Sequence, residues 1–184
     1  MDTDVVDLIM KDHRELEQLF DELLNFPDKR ANLLPVMTTL LTAHSRAEEA
    51  EVYPKAAEAG GADDVEHSQE EHLLADELAL KLTQMPPDSP DFPAALKALV
   101  DAVTHHVQEE EEKVLPGMRE NMDSAVLSQL GEAFLSSRAE HLGEQPEDKT
   151  KEQMLIQADN ADISGVSGQS KSELEKTLSE HADK

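Results

Sequence analysis

Two stretches of the chain decide the fold. One is His44-Ser45-Arg46-Ala47-Glu48-Glu49-Ala50-Glu51-Val52-Tyr53-Pro54. The other is His106-Val107-Gln108-Glu109-Glu110-Glu111-Glu112-Lys113-Val114-Leu115-Pro116. Both read H-x-x-x-E-E-x-x-V-x-P. Working outward, each is preceded by a second histidine that follows an acid: Asp12-His13 before the first and Glu71-His72 before the second. The chain is therefore a hairpin written twice.

The surrounding pattern says that the hairpins are helical. Apolar residues recur with a period near 3.6 in four segments, roughly 4–26, 31–59, 63–84 and 92–119. Ile9, His13, Leu16, Phe20 and Leu23 share a face of the first; Met37, Leu40, Leu41, His44 and Glu48 line the second. His72 lies beside Ala75, Ala79 and Leu82 in the third, and Leu99, Val103, His106, Glu110 and Val114 line the fourth. Pro27-Asp28, Gly60-Gly61, the run from Pro86 to Pro93, and Pro116-Gly117 punctuate them. No alternating strand pattern is present. Short connections between helices imply an all-α, up-down-up-down four-helix bundle. Residues 124–142 read as an additional amphipathic helix, which completes a domain over 1–142. Residues 143–184 read as a polar C-terminal extension, solvated or strapped over the bundle, with a short helix near 172–181.

Composition narrows the chemistry. The 184 residues carry 41 Asp and Glu against 16 Lys and Arg, for a net charge of -25. Such a chain offers no electrostatic footprint for nucleic acid and is repelled by anionic membranes. The N-terminus lacks a secretory pattern and no apolar run reaches the length of a membrane span, so a cytoplasmic protein is expected. There is no Cys, which excludes thiolate catalysis and iron–sulfur ligation. His, Asp, Glu and the single Tyr remain.

Spacing i,i+4 puts His44 with Glu48, and His106 with Glu110, on one face each, interrupting apolar stripes. One His–Glu pair of this kind is common on surface helices. Two in register, with matched histidines on the intervening helices, are not. Folding the repeat about a pseudo-twofold axis brings four imidazoles and two carboxylates to one level of the core. Buried carboxylates need compensation, and a pair of metal ions supplies it.

The ordered set His13, His44-x-x-x-Glu48, His72, His106-x-x-x-Glu110 resembles the hemerythrin-like, or HHE cation-binding, family over about residues 5–140. That resemblance implies a four-helix bundle around two iron ions in an oxo- or hydroxo-bridged di-iron centre. His13, His44, His72 and His106 would be the terminal ligands, and Glu48 and Glu110 the bridging carboxylates. The choice of iron rests on the resemblance, because His and carboxylate suit several metals.

The chain departs from the oxygen-carrying members, which use H-x-x-x-H on the third helix. Ser68 stands at that position relative to His72. His67 lies one residue further back, about 140° round an ideal helix, and would reach a metal only through a π-type turn. Tyr53 is a candidate for the missing ligand, or for a hydrogen bond to a bound oxygen species; the alternative is a packed core tyrosine. Glu49 is a candidate oxygen ligand or an outer partner for a ligating imidazole. An anionic oxygen donor in place of a neutral imidazole stabilises ferric iron. The expected function is therefore a catalase- or peroxidase-like reaction with hydrogen peroxide, with Tyr53 as a candidate catalytic residue. The alternative is an O2- or NO-binding, sensing or iron-binding module without turnover.

Overall fold

A computed structural model describes residues 4–182. Helix α1 spans Val5–Asn25 and is started by Asp4, whose side chain accepts the Val6 N–H at 2.8 Å. Helix α2 spans Arg30–Ala47. It passes through a π turn at Glu48–Val52 into α3, Tyr53–Ala56, and a second π turn at Ala57–Gly61. The chain kinks at Gly60, where φ is 104°. Helix α4, Ala62–Thr83, runs back along the bundle. Helix α5, Phe92–Glu109, completes it and passes through a π turn at Glu110–Val114 into α6, Leu115–Asn121. No strand occurs among the described residues. The chain is an all-α helical bundle.

The prolines of the repeat do not end their helices. Pro54 and Pro116 each stand second in the helix that follows a π turn. In both turns the backbone ladder slips by one residue, with Tyr53 N–H donating to the Glu48 carbonyl and Leu115 N–H to the Glu110 carbonyl. The slip absorbs the donor that each proline lacks. It also widens the helix where the Glu-Glu pair stands.

Two apolar clusters fill the bundle. One joins Val5, Ile9, Ala47, Val52, Tyr53, Val65, Val114 and Met118 with Phe134. The other joins Leu16, Phe20, Leu23, Met37, Leu41, Leu82, Leu96, Leu99 and Val103. The histidines and glutamates of the repeat fall between these sets on every helix, so the polar layer is sandwiched between two dry ones.

Helix α7, Ser124–His141, lies along α1 and α2 and contributes Leu127, Leu130 and Phe134 to the first cluster. The segment beyond it packs on the bundle. Helix α8, Lys151–Asn160, begins with a capping box between Thr150 and Gln153 and packs on α4 and the Glu48–Val52 turn. Helix α9, Lys171–Ala182, packs on α4. Met154, Ala158, Val166, Leu174 and Leu178 close over Leu73 in a third apolar cluster. Sparse apolar residues suffice here because each of these five is buried.

Candidate metal centre

Helices α1, α2, α4 and α5 each present one imidazole to the layer between the clusters. His13, His44, His72 and His106 are at most 5% exposed, and Glu48 and Glu110 are fully buried. His13 and His44 meet edge to face with ring centres 5.1 Å apart; His72 and His106 do the same at 4.6 Å.

Each glutamate touches both imidazole pairs. Glu48 Oε2 lies 3.2 Å from His44 Nε2 and 3.4 Å from His72 Nε2. Glu110 Oε2 lies 3.2 Å from His13 Nε2 and 3.9 Å from His106 Nε2. One atom each from His13, His44 and Glu48 forms a group within 4.8 Å, and so does one each from Glu48, His72 and His106. Glu48 is common to both.

These groups converge without satisfying one another. The separations are in ion-pair range. Both carboxylate oxygens of Glu48, both of Glu110, and His13 Nε2 have no hydrogen-bond partner among the described residues. His72 Nε2 and His106 Nε2 face each other at 3.1 Å. Buried carboxylate oxygens left in this state are costly. Two cations among nitrogen and oxygen donors would satisfy every one of them, so the residues fit a dinuclear metal site.

The outward nitrogen of each imidazole is held by its own carboxylate. His44 Nδ1 lies 3.4 Å from Asp12 Oδ2, and His106 Nδ1 2.9 Å from Glu71 Oε2. His72 Nδ1 lies 3.1 Å from Glu49 Oε1, and His13 Nδ1 2.8 Å from Glu111 Oε1. The pairing obeys the repeat. The acid preceding the first histidine of a hairpin holds the second histidine of the same hairpin. The second glutamate of each Glu-Glu pair holds the first histidine of the other hairpin. This arrangement fixes the ring orientation and directs Nε2 inward, as carboxylate–histidine–metal triads require.

Electrostatics follow from the same geometry. Burial opposes a charge on His44, but Glu48 and Asp12 outweigh it and hold the imidazole up to about 10. Burial likewise opposes His72, which Glu48 and Glu49 hold up to about 10. His13 is raised despite its burial, chiefly by Glu110. Glu48 stays well below the usual carboxylate range because His44 and His72 overcome the burial penalty. In the metal-free protein the buried carboxylates therefore favour the protonated form of these imidazoles.

The two halves differ in one network. Glu49 accepts hydrogen bonds from Gln69 at 3.0 Å, from Gln157 of α8 at 2.9 Å and from the fully buried Arg46 at 3.0 Å. Arg46 also pairs with Asp76 at 3.2 Å. Burial works against the Glu49 charge, and Arg46 more than offsets it, holding Glu49 at about 2. Asn160 of α8 donates to the Glu49 carbonyl at 3.0 Å. On the other side Glu111 is held by the exposed Arg14.

Tyr53 breaks the repeat, where Leu115 is its counterpart. It is fully buried and its hydroxyl lies 3.0 Å from His72 Nε2. Burial, with Glu110 and Glu48 nearby, pushes its phenol well above the usual value. A small cavity lies against the four imidazoles, lined by Leu16, Leu41, Ala75, Val103 and Val107. Those residues belong to the second apolar cluster and Tyr53 to the first, so Tyr53 stands on the opposite face.

The layer therefore gathers His13, His44, Glu48, His72, His106 and Glu110, with Tyr53 and Glu49 in contact with His72. It does not gather His67, whose side chain is 51% exposed and lies 2.9 Å from Glu109. No π turn separates His67 from His72; the π turns among the described residues lie at 48–52, 57–61 and 110–114. Sequence reasoning missed Asp12, Glu71 and Glu111 as holders of the imidazoles. The signal was the acid beside each histidine of α1 and α4 and the doubled glutamate, read across the repeat.

Residues 4–117 match the family model of the hemerythrin HHE cation-binding domain. A protein of Nostoc sp. named a DNA nickase is 29% identical over 140 residues, covering 75% of this chain and 40% of its own length. An uncharacterised hemerythrin-like protein of Schizosaccharomyces pombe is 27% identical over 137 residues, covering 72% of this chain and 68% of its own. No solved structure matches. With the family model spanning more than half of its length, the chain belongs to the hemerythrin HHE cation-binding family.

Proposed function

We propose that the chain holds two iron ions between His13, His44, His72, His106, Glu48 and Glu110, and that this centre turns over hydrogen peroxide in a catalase- or peroxidase-like reaction. Four converging imidazoles, with four carboxylate oxygens and His13 Nε2 that have no hydrogen-bond partner among the described residues, support the metal pair. When bound, a pair of irons supplies two-electron redox cycling. The protein's part is to keep the site dry and to orient each imidazole through its outer carboxylate.

The observation that carries the peroxide reading is Tyr53. Its hydroxyl is an oxygen donor 3.0 Å from His72 Nε2, while Ser68 stands where a fifth imidazole would be. Placed across the layer from the cavity, Tyr53 acts on the His72 side of the centre rather than on the small molecule. A hard oxygen donor favours the ferric state and works against reversible oxygenation.

A second reading, O2 or NO binding without turnover, is favoured by the small cavity against the imidazoles. The nickase activity named for the Nostoc relative belongs to a protein of which this chain spans 40%. A net charge of -25 opposes approach to a phosphate backbone, and a plasmid-nicking assay serves as the control.

The test is addition of hydrogen peroxide to the iron-loaded protein. Release of O2 or oxidation of an added reductant is expected. Full iron occupancy with neither outcome, and a spectrum altered by O2 or NO instead, moves the assignment to the binding module.

A further inference from the structure

The outward face of α4 and α5 carries four metal-type ligands that the buried centre does not use in this way. His67 and Glu71 stand one turn apart on α4, and His105 and Glu109 one turn apart on α5. Two i,i+4 His–Glu pairs therefore face each other across the contact between these helices. One ligand atom from each of the four lies within 4.8 Å of all the others.

Three of the six donor separations are close to those of a tetrahedral site. His67 Nε2 is 2.9 Å from Glu109 Oε2 and 3.7 Å from Glu71 Oε1, and His105 Nε2 is 3.4 Å from Glu71 Oε1. Donors held about 2.1 Å from a metal in a tetrahedron stand roughly 3.4 Å from one another. Glu71 Oε1 and Glu109 Oε2 are themselves buried atoms without a hydrogen-bond partner among the described residues. Lys113 takes only the other oxygen of Glu109, at 3.1 Å.

Packing of the bundle does not require this set. The repeat relates His67, Glu71, His105 and Glu109 to Leu8, Asp12, Ala43 and Ala47. There Leu8 packs against the first apolar cluster, and Ala43 and Ala47 are fully buried. The half of the bundle covered by α7 has apolar residues at three of these positions. The half without that cover has two imidazoles, 51% and 62% exposed, and a second carboxylate.

We propose that His67, Glu71, His105 and Glu109 form a separate surface site for one first-row divalent transition-metal ion. Two imidazoles and two carboxylates suit zinc, cobalt and ferrous iron alike. Glu71 joins this site to the interior, since its Oε2 holds His106 Nδ1 at 2.9 Å while its Oε1 lies beside His67 and His105. An ion on Oε1 draws charge from the carboxylate that orients His106, a coupling that rests on the buried centre's assignment; the surface site itself does not.

The probe is Zn2+, titrated calorimetrically at neutral pH into the iron-loaded protein after chelating resin has cleared surface-bound metal, with iron content measured before and after. One saturable Zn2+ equivalent is expected with iron retained. The double variant H67A/H105A should lose that equivalent and keep both its iron and its melting temperature, because the two imidazoles are exposed. Absence of a saturable equivalent, its survival in the double variant, or its appearance only as iron is displaced would overturn the proposal. A Zn2+ difference between the two proteins with no iron in either would defeat the di-iron reading and leave the surface site standing.

Discussion

Glu49 and Glu111 occupy equivalent places in the repeat but different surroundings, which makes Glu49→Gln and Glu111→Gln a sharp pair of perturbations. Each carboxylate holds one ligating imidazole, His72 or His13. Loosening either imidazole should weaken metal binding about 10–100-fold. Their effects on the metal-free fold should diverge. Glu49 is 1% exposed and compensates the buried Arg46, so its neutralisation breaks a buried ion pair that is worth about 3–5 kcal/mol when one partner is removed. The retained contact of Arg46 with Asp76 at 3.2 Å places the expected loss near the lower end, about 3 kcal/mol. Glu111 has a side chain 22% exposed and a cation, Arg14, that is 51% exposed, so that pair contributes about 0–1 kcal/mol. Urea unfolding of the metal-free proteins measures the difference, and competition with a chromogenic chelator measures affinity. Equal destabilisation by the two variants, or unchanged metal affinity in Glu111→Gln, would refute the reasoning.

Three further outcomes are expected. Because His44 and His72 are held up to about 10 in the metal-free protein, both are protonated at neutral pH and must lose their protons to ligate. Metal loading should therefore release at least about two protons per centre, and affinity should fall about 100-fold for each unit that the pH drops; a loading reaction that releases none contradicts this. Tyr53→Phe in the iron-loaded protein should keep the iron, lower stability by about 1 kcal/mol and remove a phenolate-to-iron band from the visible spectrum, and an unchanged spectrum rules out ligation by Tyr53. Leu178→Ala, at a residue 4% exposed against α4, should cost about 2–5 kcal/mol of docking by α8 and α9. Hydrogen exchange should then show protection lost over 151–182 and kept in α1 and α5, and uniform loss across the chain would contradict a locally docked strap.

The repeat made most of the fold and the inner layer legible before any coordinate. Period near 3.6 defined the helices, and two H-x-x-x-E-E motifs with matched histidines placed six side chains at one level. Three features escaped for physical reasons. Pro116-Gly117 reads as a break because a proline interrupts an α-helical ladder; the π turns that carry the chain past Pro54 and Pro116 have no propensity signature. The carboxylates Asp12, Glu71 and Glu111 look like ordinary surface acids in a chain with 41 of them, and their pairing crosses between helices. A strap over the bundle was one of two alternatives for residues 143–184, but the way 151–182 dock was not legible because few apolar residues carry it, with Gln157 and Asn160 supplying polar contacts to Glu49 that no periodicity marks.

The central claim is that one buried layer holds two metal ions through four imidazoles and two shared glutamates. Iron per chain tests it most directly, measured after anaerobic ferrous loading, oxidation and exhaustive washing with chelating resin to clear surface-bound metal. The account predicts two irons in the unaltered protein and none retained in Glu110→Ala or His44→Ala variants that still fold as helical bundles. One iron or none in the unaltered protein, or two retained in either variant, would contradict it.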